Sequence, residues 1–160
     1  MKIKDILKMV PYIEAEAMAR TETNDPLKKN RFRISISGLP AGVGFSKVSG
    51  LSREIEVVEY FEGMYENSLK LQGKEKHGEI TLERGTYASA ELEDLYKTAL
   101  EGGERKTLII EIMNKAGTTA MKTYKLAEAW VSKWEASDLD ASSSDVAIEK
   151  ITVQYESFLD

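Results

Sequence analysis

The 160-residue chain contains no cysteine and a single histidine, His77. The absence of cysteine excludes disulfides, thiolate nucleophiles and cysteine-based metal sites. His77 lies in Lys74–Gly78, a segment that we predict to be a loop between two strands. A lone loop histidine is more typical of a solvated side chain than of a general base or a metal ligand. We therefore expect no metal site and no cofactor.

Long apolar runs are also missing. No stretch approaches the roughly 20 apolar residues that a membrane-spanning helix needs. Charged residues interrupt the apolar ones at the N-terminus, which therefore does not resemble a secretory signal. We predict a protein without a membrane partner, assembled in the cytoplasm.

The composition is that of a folded domain, with 42% apolar and 31% charged residues. A single domain of this length buries about two-thirds of the surface of its unfolded chain. The 27 acidic and 22 basic residues give a net charge of −5. An acidic chain is poorly suited to clamping phosphate backbones, although it is compatible with a passage through which DNA slides.

Residues 1–29 differ in pattern from the rest of the chain and are interpreted as an N-terminal arm. A short apolar stripe at helical spacing precedes Pro11, and turn residues surround Pro26. Two interpretations stay open: a mobile tail, or a segment that docks on a neighbouring copy. The candidate docking residues are Ile3, Ile6, Leu7 and Val10.

Residues 30–160 are predicted to form one β domain. Phe32, Ile34 and Ile36 alternate with polar residues, as in a strand with one buried face. The segment between Gly44 and Gly85 predicts a long β-hairpin, whose central part spans about residues 54–71 around a Gly/Asn tip. Apolar residues occur on both of its faces near the tip, which is typical of a strand that meets another layer or another chain. These residues are Val58, Tyr60, Phe61, Met64, Tyr65, Leu69 and Leu71.

One helix is predicted at about residues 89–101, with an apolar stripe of period 3.6, Ser89 as its N-cap and Gly102-Gly103 at its end. Three further strands follow, the second from Met121 to Trp134 with its aromatic residues on one parity. The predicted fold is mainly β: an antiparallel sandwich or barrel with one α-helix.

No pattern in the sequence predicts catalysis. The glycine-rich segment Gly38–Gly44 lacks the Gly-Lys-Ser/Thr ending of a phosphate-binding loop and joins two strands, so we interpret it as a turn. Glu54 and Glu56 are same-face neighbours on a strand, a pattern typical of an exposed row. Trp130 and Trp134 are more typical of core or interface anchors than of a ligand platform. We therefore predict that the protein is not an enzyme.

Seven motifs nevertheless occur in the order seen in the tail-tube proteins of contractile-tailed phages, a family that includes the inner tubes of R-type bacteriocins and related injection systems. The resemblance covers roughly residues 31–157. The motifs are Phe32–Pro40, Gly44–Leu51, Glu56–Tyr60, Leu71–Gly73, Ile80–Gly85, Ala129–Trp134 and Val146–Glu149.

The resemblance implies a structural subunit. Six copies would form a ring, and rings would stack into a hollow tube inside a contractile sheath. Implied partners are further copies of the chain, the sheath, baseplate or tube-initiator proteins, a tape-measure protein, and DNA or cargo in the lumen. The hairpin residues named above would contact a neighbouring subunit or ring, and Glu54 and Glu56 are candidates for the lumen wall.

Three questions stay open on the sequence. The resemblance does not distinguish a phage tail from a bacteriocin or an injection device, each released by lysis of the producing cell. A tube initiator at the baseplate is an alternative to the main tube, which we favour. An alternative of another class is a small-ligand-binding β-barrel in which Trp130 and Trp134 line a pocket.

Overall fold

The structure, a computed structural model, describes residues 25–64 and 66–159. The predicted arm residues Ile3, Ile6, Leu7 and Val10, and the hairpin residue Tyr65, lie outside this part. Nine strands and one helix occur within it. They are β1 (Phe32–Ile36), β2 (Lys47–Ser49), β3 (Arg53–Tyr60), β4 (Leu69–His77), β5 (Ile80–Gly85), α1 (Glu91–Leu100), β6 (Lys106–Met113), β7 (Ala120–Ala136), β8 (Ile148–Gln154) and β9 (Ser157–Leu159).

Seven strands form one antiparallel sheet, in the order β1-β6-β7-β8-β5-β2, with β9 added beside β7. The remaining two, β3 and β4, pair with each other as a separate hairpin. The prediction of a mainly β, antiparallel fold with one helix is confirmed for the described residues.

The core contains the residues that the alternation of apolar and polar residues predicted to be buried. Because successive side chains of a strand point to opposite faces, every second residue of β1 and β5 is buried. Leu92 brings α1 into the same cluster and is fully buried. The other aliphatic members with at most 8% exposure are Ile34, Ile36, Ile80, Leu82, Leu108, Ile110, Leu126, Ala129, Val131, Ile151 and Val153.

The long strand β7 bends, and the bend lets it serve two parts of the sheet. Its first part pairs with β6 and β9 and its second part with β8. At the junction Glu128 has a φ of 54°, and the register with β6 shifts there, as expected for a β-bulge. A second register shift lies between Val131 and Lys133. The prediction that the aromatic residues of Met121–Trp134 all share one face of the strand is therefore wrong. Each bulge adds one residue to β7 and so reverses which residues face the core.

The helix ends as the glycine pair predicted but does not begin at Ser89. Gly102 has a φ of 75°, and Gly103 donates its N–H to the carbonyl of Thr98, which is the Schellman arrangement. At the other end Ala90 occupies the N-cap position, and no N-cap side chain accepts a hydrogen bond from the free N–H groups of the first turn. The cap prediction is wrong because the helix starts one residue too late for Ser89 to bond its free N–H groups.

Gly50 lies between β2 and β3, and Gly78 lies between β4 and β5. We call the place where these two glycines join the sheet to the β3–β4 hairpin the neck. The strands β2 and β5 pair on the body side of this neck, so the predicted long hairpin is a single ribbon interrupted there. A Cβ on Gly50 would lie 2.0 Å from the carbonyl oxygen of Glu79, and one on Gly78 would lie 2.2 Å from Oγ of Ser52. No larger residue fits either position without moving its neighbours.

Replacing Gly50 tests this neck. Gly50 has a φ of 88°, so Gly50→Ala combines a left-handed backbone with a collision against Glu79. Gly42→Ala is the matched control, because Gly42 has a φ of 100° but nothing within 4 Å of the added methyl. We expect Gly42→Ala to lower the free energy of unfolding by about 1 to 2 kcal/mol, and Gly50→Ala to lower it further. Equal losses in urea titrations would contradict the close approach.

Candidate assembly surface

The β3–β4 hairpin stands away from the core. All eight residues of β3 are exposed, and β3 pairs with no described strand other than β4. Near its tip Phe61 is 73% exposed and Met64 is 96% exposed. Because most of its side chains are exposed, this hairpin gains little stability from burial within its own subunit. A lone two-stranded hairpin is marginally stable in water.

One face of the hairpin is apolar toward the tip. The cross-strand pairs Val58 with Leu71 and Tyr60 with Leu69 lie on this face. Each of the four side chains is between 44% and 53% exposed. We call these four residues the apolar face. Together with the tip they include every predicted contact residue that the structure describes.

Farther from the tip the same face becomes charged. Glu54 and Glu56 share the parity of Val58 along β3, and Nζ of Lys76 lies 3.1 Å from Oε1 of Glu56. An exposed pair of this kind contributes less than about 1 kcal/mol to stability. The candidate lumen carboxylates therefore lie on the same face as the candidate contact residues, nearer the neck.

The opposite face is mixed. Glu59 pairs with Lys70 across the strands, and Ile55 and Val57 are exposed among polar neighbours. At the neck Arg53 bonds Glu75, and this hydrogen bond holds the pKa of the Glu75 carboxyl below its ordinary value. Among the paired residues of β3 and β4, this face has no two apolar side chains directly opposite each other, unlike the apolar face.

Two strands, at the ends of the sheet, each have one edge with which no other described strand pairs. Strands β1 and β2 lie at the two ends of the sheet. The N–H of Ser37 bonds the carbonyl of Thr107, so the odd-numbered residues of β1 face β6 and the backbone groups of Phe32 and Ile34 face outward. Open edges of this kind readily accept a strand from another chain.

His77 is not the solvated loop residue that we predicted. It ends β4, and its ring lies 5.4 Å from that of Tyr155 and 5.6 Å from that of Phe158, measured between centroids. The prediction is wrong because β4 continues beyond Gly73, where the pairing of Arg53 with His77 extends the ladder to the neck.

A buried arginine ties the helix to the sheet. Nε of Arg84 lies 2.6 Å from Oε1 of Glu149 on β8, and Nη1 lies 2.9 Å from Oε2 of Glu91 on α1. The side chains of Arg84 and Glu149 are 3% and 6% exposed. Burial alone would lower the pKa of Arg84, but the hydrogen bonds to the two carboxylates outweigh it and raise that pKa above its ordinary value.

The two tryptophans have different surroundings. Arg105 lies over the Trp130 ring at 5.0 Å, and Trp130 is 38% exposed. Trp134 packs against the core, with its indole N–H 3.5 Å from Oε2 of Glu149. Trp130 lines an apolar cleft of about 20 Å³ and a second cleft of about 200 Å³, and Trp134 lines neither of them. The ligand pocket lined by both rings is therefore not supported.

Neither a metal cluster nor a membrane-spanning helix occurs within residues 25–64 and 66–159. No three His, Asp or Glu side chains in this part converge as a metal site would require. Among the same residues, no helix combines the length and apolar character needed to cross a bilayer.

Residues 28–159 match the family model described as T4-like virus tail tube protein gp19. The chain belongs to this family. The matched segment contains the whole described fold from β1 to β9, and the resemblance predicted from the seven motifs is confirmed.

Chains in several solved structures share the fold. A chain in the sheath-tube complex of the PVC extracellular contractile injection system, in its extended state, is 28% identical with a TM-score of 0.77, covering 86% of this chain and 93% of that one. A chain in the baseplate of the anti-feeding prophage is 27% identical with a TM-score of 0.73, covering 84% and 95%. A chain in the cap of the same particle has 24% identity and a TM-score of 0.78, covering 92% and 97%, and shows the fold alone. No curated protein matches the sequence.

The sequence did not predict the burial of Arg84 or the neck of this tail-tube protein. Arg84 shares the parity of Ile80 and Leu82, and Glu149 shares that of Ile151, so both charges sit at core positions. Opposite charges at the buried parity of two strands could have indicated the pair. The neck contacts join residues about 80 positions apart and leave no comparable signal.

Removing one carboxylate tests the buried pair. Glu149→Gln leaves the Arg84 charge buried with a single acidic partner, and we expect the free energy of unfolding to fall by about 3 kcal/mol. Glu111→Gln is the matched control. Oε2 of Glu111 lies 2.8 Å from Nε of Arg33, whose side chain is 58% exposed. That change should cost less than about 1 kcal/mol. Similar losses for the two variants in chemical denaturation would contradict a special role for the buried pair.

Proposed function

We propose that the chain is the subunit of the inner tube of a contractile injection machine, with six copies in each ring and rings stacked around a hollow lumen. Membership of the tail tube family supports this proposal. Relatives of similar fold come from a sheath-tube complex and from a baseplate. Further copies of the chain, a sheath and a baseplate are accordingly the partners that we propose.

The observation that carries the proposal is the exposed β3–β4 hairpin. Its apolar face presents two cross-strand apolar pairs, with Phe61 and Met64 beyond them. Burying apolar surface contributes about 25 cal/mol per Å², so six such faces in a ring would supply a large driving force. We propose that the apolar face packs against a neighbouring subunit, in the same ring or the next.

The open edges support lateral closure. Strand β1 presents outward-facing backbone groups at one end of the sheet and β2 ends the other. A closed ring removes edges by pairing each with the next copy, which also prevents unlimited aggregation. We propose that ring formation uses these edges while the hairpin completes the contact.

The lumen is proposed to be acidic and passive. A net charge of −5 favours passage of DNA or an acidic cargo without adhesion, because like charges repel along the wall. Glu54 and Glu56 remain our candidates for this wall. We place the protein in the main tube in preference to a tube initiator, assembled in the bacterial cytoplasm beside a tape-measure protein and carried out by lysis.

A pair of substitutions tests the apolar face. Tyr60→Ser combined with Leu69→Ser removes one cross-strand apolar pair, and we expect tube assembly to be lost while the subunit stays folded. The control is Glu59→Ser with Lys70→Ser, the adjacent cross-strand pair on the opposite face, which should leave assembly largely intact. Negative-stain microscopy and sedimentation velocity measure assembly, and circular dichroism verifies folding.

A coarser variant tests the whole ribbon. Deleting residues 58–66 removes the tip, and we expect the shortened subunit to fold but not to stack. Normal tubes from this deletion would refute the hairpin assignment. A parent protein that stays monomeric at all concentrations, even with baseplate components, would overturn the proposed function itself.

A further inference from the structure

The β3–β4 hairpin needs a fixed direction if its apolar face is to meet a neighbour, yet its strands pair with no other described strand. What ties it to the body is concentrated at the neck. The carbonyl of Ser52 accepts hydrogen bonds from the Gly78 N–H at 3.2 Å and from the Tyr155 hydroxyl at 3.3 Å. Tyr155 is 8% exposed and belongs to the core, so this contact joins the hairpin's base to the rigid body.

Three rings surround the same point. His77, Tyr155 and Phe158 have centroids between 5.4 and 5.6 Å apart, and Tyr155 meets Phe158 edge to face at 90°. The guanidinium of Arg53 lies 4.5 Å from the centre of the Phe158 ring. We call these four residues the neck cluster. Two of them begin and end the hairpin, and two belong to the chain after β8.

The C-terminal half of the cluster is itself anchored. Phe158 lies on β9, opposite Leu126 of β7, and Leu126 is fully buried. The side chains of Tyr155 and Phe158 are therefore held by the core before the hairpin packs on them. An aromatic cluster between a rigid body and a protruding ribbon acts as a joint with one preferred angle.

We propose that the neck cluster positions the hairpin, so that Phe158 and His77 determine the direction in which the apolar face is presented for assembly. The inference extends the proposed tube function and rests on it for its consequence, although the joint itself is a property of the single subunit. His77 and Phe158 are positioning residues, since they act on the neighbouring copy through the hairpin.

The role of His77 is assigned to its ring and not to its proton. Nδ1 is buried and has no hydrogen-bond partner among the described residues. Arg53 lies opposite His77 across the two strands and bonds Glu75. The ring of Tyr155 contacts that of His77, and the Tyr155 hydroxyl bonds Ser52. A planar apolar ring should therefore replace the imidazole, whereas a methyl group should not.

Spin-label distances on the monomer test the joint directly. The chain has no cysteine, so Glu62→Cys at the tip and Ser144→Cys on the body accept one nitroxide each. The parent should give a narrow distance distribution by double electron-electron resonance. His77→Ala and Phe158→Ala should broaden it, and His77→Phe should restore the parental width. Phe32→Ala, another half-buried phenylalanine at the core but outside the neck, should leave the width unchanged.

Assembly gives the second readout. His77→Ala and Phe158→Ala should raise the concentration needed for tube formation on the order of tenfold, as loss of one aromatic contact would produce. His77→Phe should assemble like the parent, a rescue that general destabilisation does not explain. Unchanged distances in both alanine variants, broadening by Phe32→Ala, or failure of His77→Phe to restore the width would overturn the proposal. If the parent forms no tube, the proposed function fails, while the distances still decide whether the joint exists.

Discussion

The bend in β7 is the constraint on which the rest of the fold depends. One strand of 17 residues pairs with β6 and β9 in its first part and with β8 in its second. The left-handed backbone of Glu128 makes this possible, because the bulge turns the strand without interrupting it.

The bend also brings the last described residues, including Phe158, against the base of the hairpin. Strand β9 can pair with the first part of β7 only because β8 has already returned along the second part. The N–H of Glu156 bonds the carbonyl of Ala127, next to the bulge. Phe158 is thereby brought to the neck, and the body acquires an anchor for a ribbon whose strands pair with no other described strand.

The surface that we propose for assembly is thus one that the core of the subunit does not cover. A buried network holds the helix to the sheet through Arg84, while the apolar face of the hairpin stays in water. Such a division is expected of a subunit whose final stability comes from its copies, since apolar surface left exposed by one chain is available to the next.

The sequence by itself determined the strand alternation, the glycine pair after the helix, the hairpin and, through the order of its motifs, the family. These features are local or depend on residue order, so they can be read from neighbouring positions. The second half of β7, the surroundings of His77 and the start of the helix were decided by tertiary structure. A bulge reverses which residues of a strand face the core, so that Leu126 and Ala129 are both buried. No local pattern in the sequence predicts the bulge. The neck cluster joins Arg53 and His77 to residues far along the chain, and only folding around the bent β7 brings them together.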